Sequence, residues 1–336
     1  MGFDYTQALN DRRALIIGPV DLANMRGIEL GALSNPAVRR EDGDILYVDY
    51  ADTEELRKNI YPDSVHVDDL VDVDIVWGER PLIECAGEPV DYAIAVHVIE
   101  HVADVVGWLN QIHDVLKPGG YFCLVIPDRR FTFDILRPES TVGELVQAHL
   151  EGRWRPTPAQ KFDFTSLWRH VDARAAWEGY PDLDALAPTG PDHVEVAYAQ
   201  ARELHEGDGY MDAHCWVFTP ESFLRCVAML NRLGLFPFEI ENFVDTQPGE
   251  IEFFLHLRRS DDAARREESI RAALNSVAPA AEPATDPNED HMAAMQWLEA
   301  EIGALRMTIE EMKTSSSWKL TAPLRLLKRV ISGGTK

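Results

Sequence analysis

The sequence has no run of about 18 apolar residues, so no segment is expected to span a membrane. Its opening, MGFDYTQALNDRRALIIG, lacks a basic start, an apolar run and a small-residue cleavage site in succession, and no signal peptide is expected. Basic residues are scarce: 32 Lys and Arg stand against 57 Asp and Glu, for a formal net charge of −25. That deficit excludes a general binder of nucleic-acid backbones, which needs a cationic excess. Cysteine is sparse too. Cys85, Cys123, Cys215 and Cys226 form no CxxC pair and no metal-finger spacing. Cys123 lies in the apolar run 121–126 and reads as a buried free thiol. A reducing cytoplasm is the expected compartment. Apolar content is ample: at 46% hydrophobic, 336 residues can bury one large domain with an appendage.

The charge is unevenly spread. The segment from Thr314 to Lys336 has no Asp or Glu and five basic residues, so it carries +5 and the remainder −30. Such contrast marks an interaction tail.

Strand-like and helix-like runs alternate through the first half. Residues 26–31, 44–49, 90–96 and 121–126 read as strands, with another inside 64–76. Residues 53–59 read as a helix behind a Thr53 cap. In 104–116, Val105, Trp108, Leu109, Ile112, Val115 and Leu116 repeat at helical spacing. Lys117-Pro118-Gly119-Gly120 ends that helix, because proline cannot continue it and glycine tolerates the turn. The alternation predicts an α/β fold with a mostly parallel, doubly wound sheet. Residues 129–214 are rich in Trp, Arg, His and Pro, are helical near 145–151 and 192–205, and read as an insertion covering a site. Thr219-Pro220-Glu221-Ser222 opens a helix that runs to about Leu233. Two strands, 236–244 and 250–258, follow with a hairpin signal between them. The expected division is a domain over 1–260, a helix end and Ala/Pro/acid-rich linker over 261–290, an amphipathic helix over 291–313 and a basic tail over 314–336. The third segment carries about three heptads from Met292 to Met312, which suit a coiled coil and homo-oligomer contact or a helix packed on the domain.

Chemistry concentrates at strand ends. Glu29 and then Gly31 close the first strand, where open α/β sheets bind ligands and where glycine lets backbone approach closely. Asp49 ends the next strand about 20 residues on, placed to accept both hydrogens of a ribose diol. Taken singly, these could also be an ordinary turn and a solvated carboxylate.

Together with Asp91–His101, which runs a strand into Ile99-Glu100-His101, and with Leu116-Lys117-Pro118-Gly119-Gly120-Tyr121, these residues resemble class I S-adenosylmethionine-dependent methyltransferases. The resemblance covers roughly residues 25–260. It implies a Rossmann-like sheet of seven strands with a C-terminal antiparallel hairpin, a large helical insertion after strand five, and a C-terminal helical appendage. It also implies S-adenosyl-L-methionine as cofactor. By position, Glu29 would hold the cofactor's amino end, and Gly31 and Ala32 would line its methionine portion. Asp49 would take the ribose hydroxyls and Tyr50 would flank the adenine. Asp74, Ile75 and Val76 lie where adenine contacts fall, and His97 ends strand four near the sulfonium. The family's second loop glycine is replaced by Leu33. NAD is disfavoured, because its fingerprint needs three glycines around a pyrophosphate turn.

A sulfonium methyl is already activated, so the protein must align the attack and take a proton from a hydroxyl nucleophile. Asp128 after strand five, His214 on the return to the core, and His97 are the candidate bases. Arg129 and Arg130 would contact an anionic acceptor, or pair with the chain's own carboxylates. His149, His170, His193 and His205 offer no pair at helix-face spacing beside a third ligand, so no metal is expected. Trp154, Trp168 and Trp177 supply flat faces that suit sugar rings or a small core. The segment 315–325 resembles C-terminal segments of bacterial glycosyltransferases and methyltransferases that build surface polysaccharides. Its Trp318, Leu320 and Leu324 among Lys and Arg suit an anionic membrane surface or a glycan-assembly enzyme. The resulting expectation is a cytoplasmic enzyme, peripheral to the membrane, that methylates a sugar hydroxyl of a glycan or glycolipid precursor. A non-catalytic scaffold of the same fold and a natural-product methyltransferase are the alternatives.

Overall fold

The computed structural model describes residues 5–59, 67–78, 80–179 and 193–277. Helix α1 (Tyr5–Ile17) leads into β1 (Arg26–Leu30) and β2 (Asp44–Asp49). Helix α2 (Thr53–Asn59), β3 (Ile75–Val76), α3 (Leu82–Ala86) and β4 (Val90–Val96) follow. Helix α4 (Val105–Val115) passes directly into β5 (Leu116–Pro127). The insertion carries α5 (Val142–Glu151), α6 (Pro158–Ser166), α7 (Ala173–Glu178) and α8 (His193–Glu206). The chain then closes through α9 (Pro220–Arg232), β6 (Phe238–Val244), β7 (Glu252–Arg259) and α10 (Ala263–Ser276).

The seven strands form one sheet in the order β3-β2-β1-β4-β5-β7-β6. Strands β1 to β5 pair in parallel, and β7 enters antiparallel to both β5 and β6. This is the seven-stranded doubly wound sheet with a terminal hairpin that the family resemblance implies. Because β4 is covered on both faces, its residues from Tyr92 to Val96 are apolar in succession: Ala93 and Ala95 join the core beneath α4 and α9, while Tyr92 and Ile94 pack on the opposite face with Ile16 of α1. Helix α4 buries Val105, Trp108, Leu109, Ile112 and Val115, the stripe its spacing predicts, and Asp104 caps it by accepting from Gly107 N.

Some boundaries differ from expectation. Strand β3 is only two residues long, and a 3₁₀ turn at Val67–Asp69 stands earlier in the same segment. The Lys-Pro-Gly-Gly segment belongs to β5, with Gly119 at φ +73° supplying the bend. The domain continues past residue 260: α10 buries Ile270 and Ala273, and Ser269 Oγ accepts from Ile240 N at 2.9 Å. The expected linker, heptad helix and basic tail, from 278 onward, lie outside the described residues.

Candidate active site

Strands β1 and β4 are neighbours although β2 and β3 come between them in sequence, so the strand order reverses between them and a crevice opens at their carboxyl ends. Gly31 lines it at φ +64°, and a Cβ there would lie 2.9 Å from Val98 Cγ2, so this turn requires glycine. Leu33 adopts φ +49°, the backbone conformation a glycine would have taken. Its side chain packs with Ala51, Leu56 and Leu70. Glu29 is buried, and its two oxygens accept from Ala37 N at 2.7 Å and Val38 N at 3.1 Å. Burial pushes its carboxyl up to about 7, against these two amides. Glu29 therefore fastens the loop 31–38 to β1, and any influence on a cofactor runs through that loop.

Asp49 is half-buried at the end of β2, and one oxygen accepts from Tyr50 N at 2.8 Å. Burial pushes this carboxyl up to about 6. Among the described residues no basic side chain pairs with it. Tyr50 is exposed beside it, its ring 6.3 Å from that of Tyr210. Val76 is exposed and stands in register with Asp49, whereas Ile75 belongs to the core. Asp74 is turned elsewhere: its oxygens take Arg40 Nη2 at 2.9 and 2.8 Å and Tyr47 N at 2.8 Å, so it braces the sheet edge and contributes no wall to the crevice.

Beyond the ends of β4 and β5 lies a cavity of about 310 Å³. His97, Glu100 and His101 line one side, and Phe131, Phe133, Trp168 and His214 face them from the insertion and its return. His97 also has positive φ, +53°, at the end of β4. Its Nε2 lies 2.7 Å from Glu252 Oε2. Arg12 of α1 donates to the same carboxylate from Nε at 2.6 Å and Nη2 at 2.8 Å. These two partners hold Glu252 down to about 2 despite its burial, and Glu252 raises His97 in turn.

A second set backs the other histidines. His101 Nδ1 donates to Asp212 at 2.9 Å, and Tyr210 donates to the same oxygen at 3.0 Å. His214 Nδ1 donates to Asp134 at 2.5 Å, and Arg137 binds the other Asp134 oxygen at 2.9 Å. The His101 and His214 rings meet edge to face, 4.7 Å apart. Backbone bonds stitch the two segments together: Cys215 N and Trp216 N donate to Glu100 O, and Trp216 Nε1 donates to Val102 O.

Other predicted residues are withdrawn from the cavity. Asp128 is fully buried, and its carboxylate is taken by Arg130 at 2.6 Å, by Arg130 N and by Thr246 Oγ1 at 2.8 Å. It caps the 3₁₀ turn at Arg129–Phe131 and cannot serve as a base. Arg130 is held by that pairing, and Arg129 donates from Nη2 to Ile135 O. Arg169 lines the cavity in their place. Arg12, Glu252, Asp134 and Arg169 escaped sequence reasoning. No local motif marks them; Arg12 and Glu252 meet across 240 residues.

Residues 44–231, more than half of the chain, match the family model described as a methyltransferase domain. The chain belongs to that methyltransferase family. Among curated proteins, the ubiquinone biosynthesis O-methyltransferase of Ruegeria pomeroyi is 33% identical over 88 residues, which cover 23% of this chain and 33% of that protein. The match thus spans about a third of the relative's length. Among solved structures, an S-adenosylmethionine-dependent methyltransferase from Mesorhizobium loti is 16% identical, with 75% of this chain and 96% of that chain covered and a TM-score of 0.35. A mycolic acid cyclopropane synthase complexed with SAH is 12% identical, with 76% and 86% covered and a TM-score of 0.31.

Methyl transfer is the chemistry of this family's domain, and S-adenosylmethionine is its cofactor. The crevice of the methyltransferase fits that group. The Gly31 turn has no room for a side chain, and Asp49 keeps a desolvated carboxylate with spare acceptor capacity at the end of β2. Gly31, Ala32, Asp49, Tyr50 and Val76 are the residues that would hold it.

Proposed function

We propose that the methyltransferase methylates a hydroxyl oxygen, with His97 as general base, and that the hydroxyl belongs to a sugar unit of a glycan or glycolipid precursor. The observation that carries this reading is the cavity, where His97, backed by Glu252, stands among the flat faces of Phe131, Phe133 and Trp168. When bound, S-adenosylmethionine supplies a methyl group already activated at its sulfonium. The chain's own work is orientation and proton removal. Glu252, fixed by Arg12, favours the charged imidazole and so stabilises His97 after it takes the hydroxyl proton. The aromatic faces position a ring and limit water.

The sugar assignment draws on this mixture of flat faces and polar groups, and on the likeness of segment 315–325 to polysaccharide-building enzymes. A cytoplasmic setting, membrane contact through 314–336 and self-association through 291–313 belong to the same proposal. The partial likeness to a ubiquinone biosynthesis O-methyltransferase favours a second acceptor, an aromatic ring hydroxyl, which the same faces would hold. Labelled-methyl transfer to nucleotide-sugars and oligosaccharides, set against catechols and other phenols, separates the two. Label is expected in the sugars. With His97→Gln, kcat is expected to fall about 10²- to 10⁴-fold. Label confined to phenols would transfer the assignment to them. Full turnover in the variant would remove His97 as base.

A further inference from the structure

The sequence offers no metal-ligand spacing, yet the fold brings a ligand set together. One ligand atom from each of Glu100, His101 and His214 lies within 4.8 Å of the others. All three side chains line the cavity. We infer that Glu100, His101 and His214 bind a divalent transition-metal ion on the acceptor side of the methyltransferase.

Several independent features support the site. Glu100 is 1% exposed, and its Oε2 has no hydrogen-bond partner among the described residues. A buried carboxylate oxygen left without a donor is costly, and a cation removes that cost. Both histidines already use Nδ1 on carboxylates, His101 on Asp212 and His214 on Asp134. With Nδ1 committed to a carboxylate, each ring has Nε2 left to ligate. A ligating histidine is ordinarily oriented by such an outer carboxylate. The two ligand segments do not drift apart, because the amides of Cys215 and Trp216 are bonded to the carbonyl of Glu100.

The donor set also selects the ion. Two imidazoles and one carboxylate suit Zn²⁺, Mn²⁺, Fe²⁺ or Co²⁺ over Mg²⁺ and Ca²⁺, which prefer all-oxygen sites. Bonds of about 2.0–2.2 Å would draw the three side chains inward from their present spread. Three protein ligands leave positions open toward the cavity, as in catalytic sites. A hydroxyl on such an ion is more acidic, which would lighten the task of His97. That role rests on the hydroxyl-acceptor reading above; the binding of the ion does not.

The test uses the full chain, stripped with chelator and titrated with Co²⁺ while visible absorption and heat are recorded. One equivalent is expected, with a d–d band that grows to saturation. Glu100→Gln, nearly isosteric, and His214→Gln are each expected to weaken Co²⁺ binding about tenfold or more. Heat of S-adenosylmethionine binding, which reports the neighbouring crevice, shows that a variant has folded. A folded wild-type chain that gives no band at about 1 mM Co²⁺ would overturn the site, as would undiminished binding in Glu100→Gln. A chain that binds one Co²⁺ but methylates no hydroxyl overturns the acceptor reading alone. A chain that methylates hydroxyls at full rate after stripping, without binding Co²⁺, overturns the metal site alone.

Discussion

On the β1–β2 side of the sheet's edge, Asp49 is half-buried with no basic partner among the described residues, and burial pushes its carboxyl up to about 6. On the β4–β5 side Glu252 is more deeply buried, yet Arg12 and His97 hold it down to about 2. Asp134 repeats the second pattern, lowered by His214 and Arg137 in spite of its burial. Burial acts in one direction on both sides, so the partners decide the outcome. Glu252, Asp134 and Asp212 on the acceptor side are already satisfied from within the chain, and their work is to fix histidines. Asp49 keeps acceptor capacity for donors that only a ligand brings. Those three carboxylates orient side chains, whereas Asp49 is left able to bind.

The largest effect that would sharpen this contrast is on stability. Asp134→Ala leaves the buried Arg137 guanidinium, 5% exposed, without its anion. Breaking a buried pair from one side costs about 3–5 kcal/mol. For a domain of this size that lowers Tm by about 10 °C in a calorimetric scan. Asp49→Ala is expected to leave Tm unchanged or raise it slightly, since it removes a desolvated carboxylate that no cation among the described residues offsets. Equal losses in the two variants would break the distinction between orienting and binding carboxylates.

The second effect is on affinity. Asp49→Asn removes a charged acceptor, and Kd for S-adenosylmethionine is expected to rise about 10- to 100-fold by calorimetry. The wild-type affinity depends on pH for the same reason. Below about 6 the carboxyl is protonated and cannot accept from both ribose hydroxyls, so affinity falls as pH drops from 7.5 to 5. In the Asn variant that slope should vanish. The linked effect on stability has the opposite sense: a raised carboxyl pKa stabilises the free protein at low pH, and this is lost as pH rises through about 6. A pH slope that persists in Asp49→Asn would assign it to another group.

The two sides also differ in how far the sequence discloses them. Gly31 and Asp49 are legible because each closes a strand, and strand ends of an α/β sheet converge on one edge. The doubly wound parallel sheet follows from the same alternation, and its seven strands with a terminal hairpin from the family resemblance. The acceptor side is assembled by pairs distant in sequence. His101 meets Asp212 across 111 residues, and His214 meets Asp134 across 80. Nothing in local spacing marks such meetings. Asp128 shows the reverse failure, for it has the right residue type at the right strand end and still lies beneath the cavity, held by Arg130 and Thr246. Asp74 fails in the same way, drawn off by Arg40. Position along a strand locates a side chain's neighbourhood; the partner that claims its charge is a tertiary fact.

The smallest expected effect concerns Leu33, where the family has glycine. A left-handed backbone at a residue with a β-carbon costs about 1–2 kcal/mol, and Leu33→Gly removes that strain. The same change removes packing against Ala51, Leu56 and Leu70 and adds freedom to the unfolded chain. The gains and losses are of similar size, so Tm should move by no more than about 2 °C in either direction. Because the side chain turns toward that cluster and the backbone already follows the glycine path, Kd for S-adenosylmethionine should stay within about twofold, a difference below 0.5 kcal/mol. A tenfold gain in affinity for Leu33→Gly would show that the leucine obstructs the crevice, and the β1–β2 side would then be less well preformed for its ligand than Gly31 and Asp49 make it.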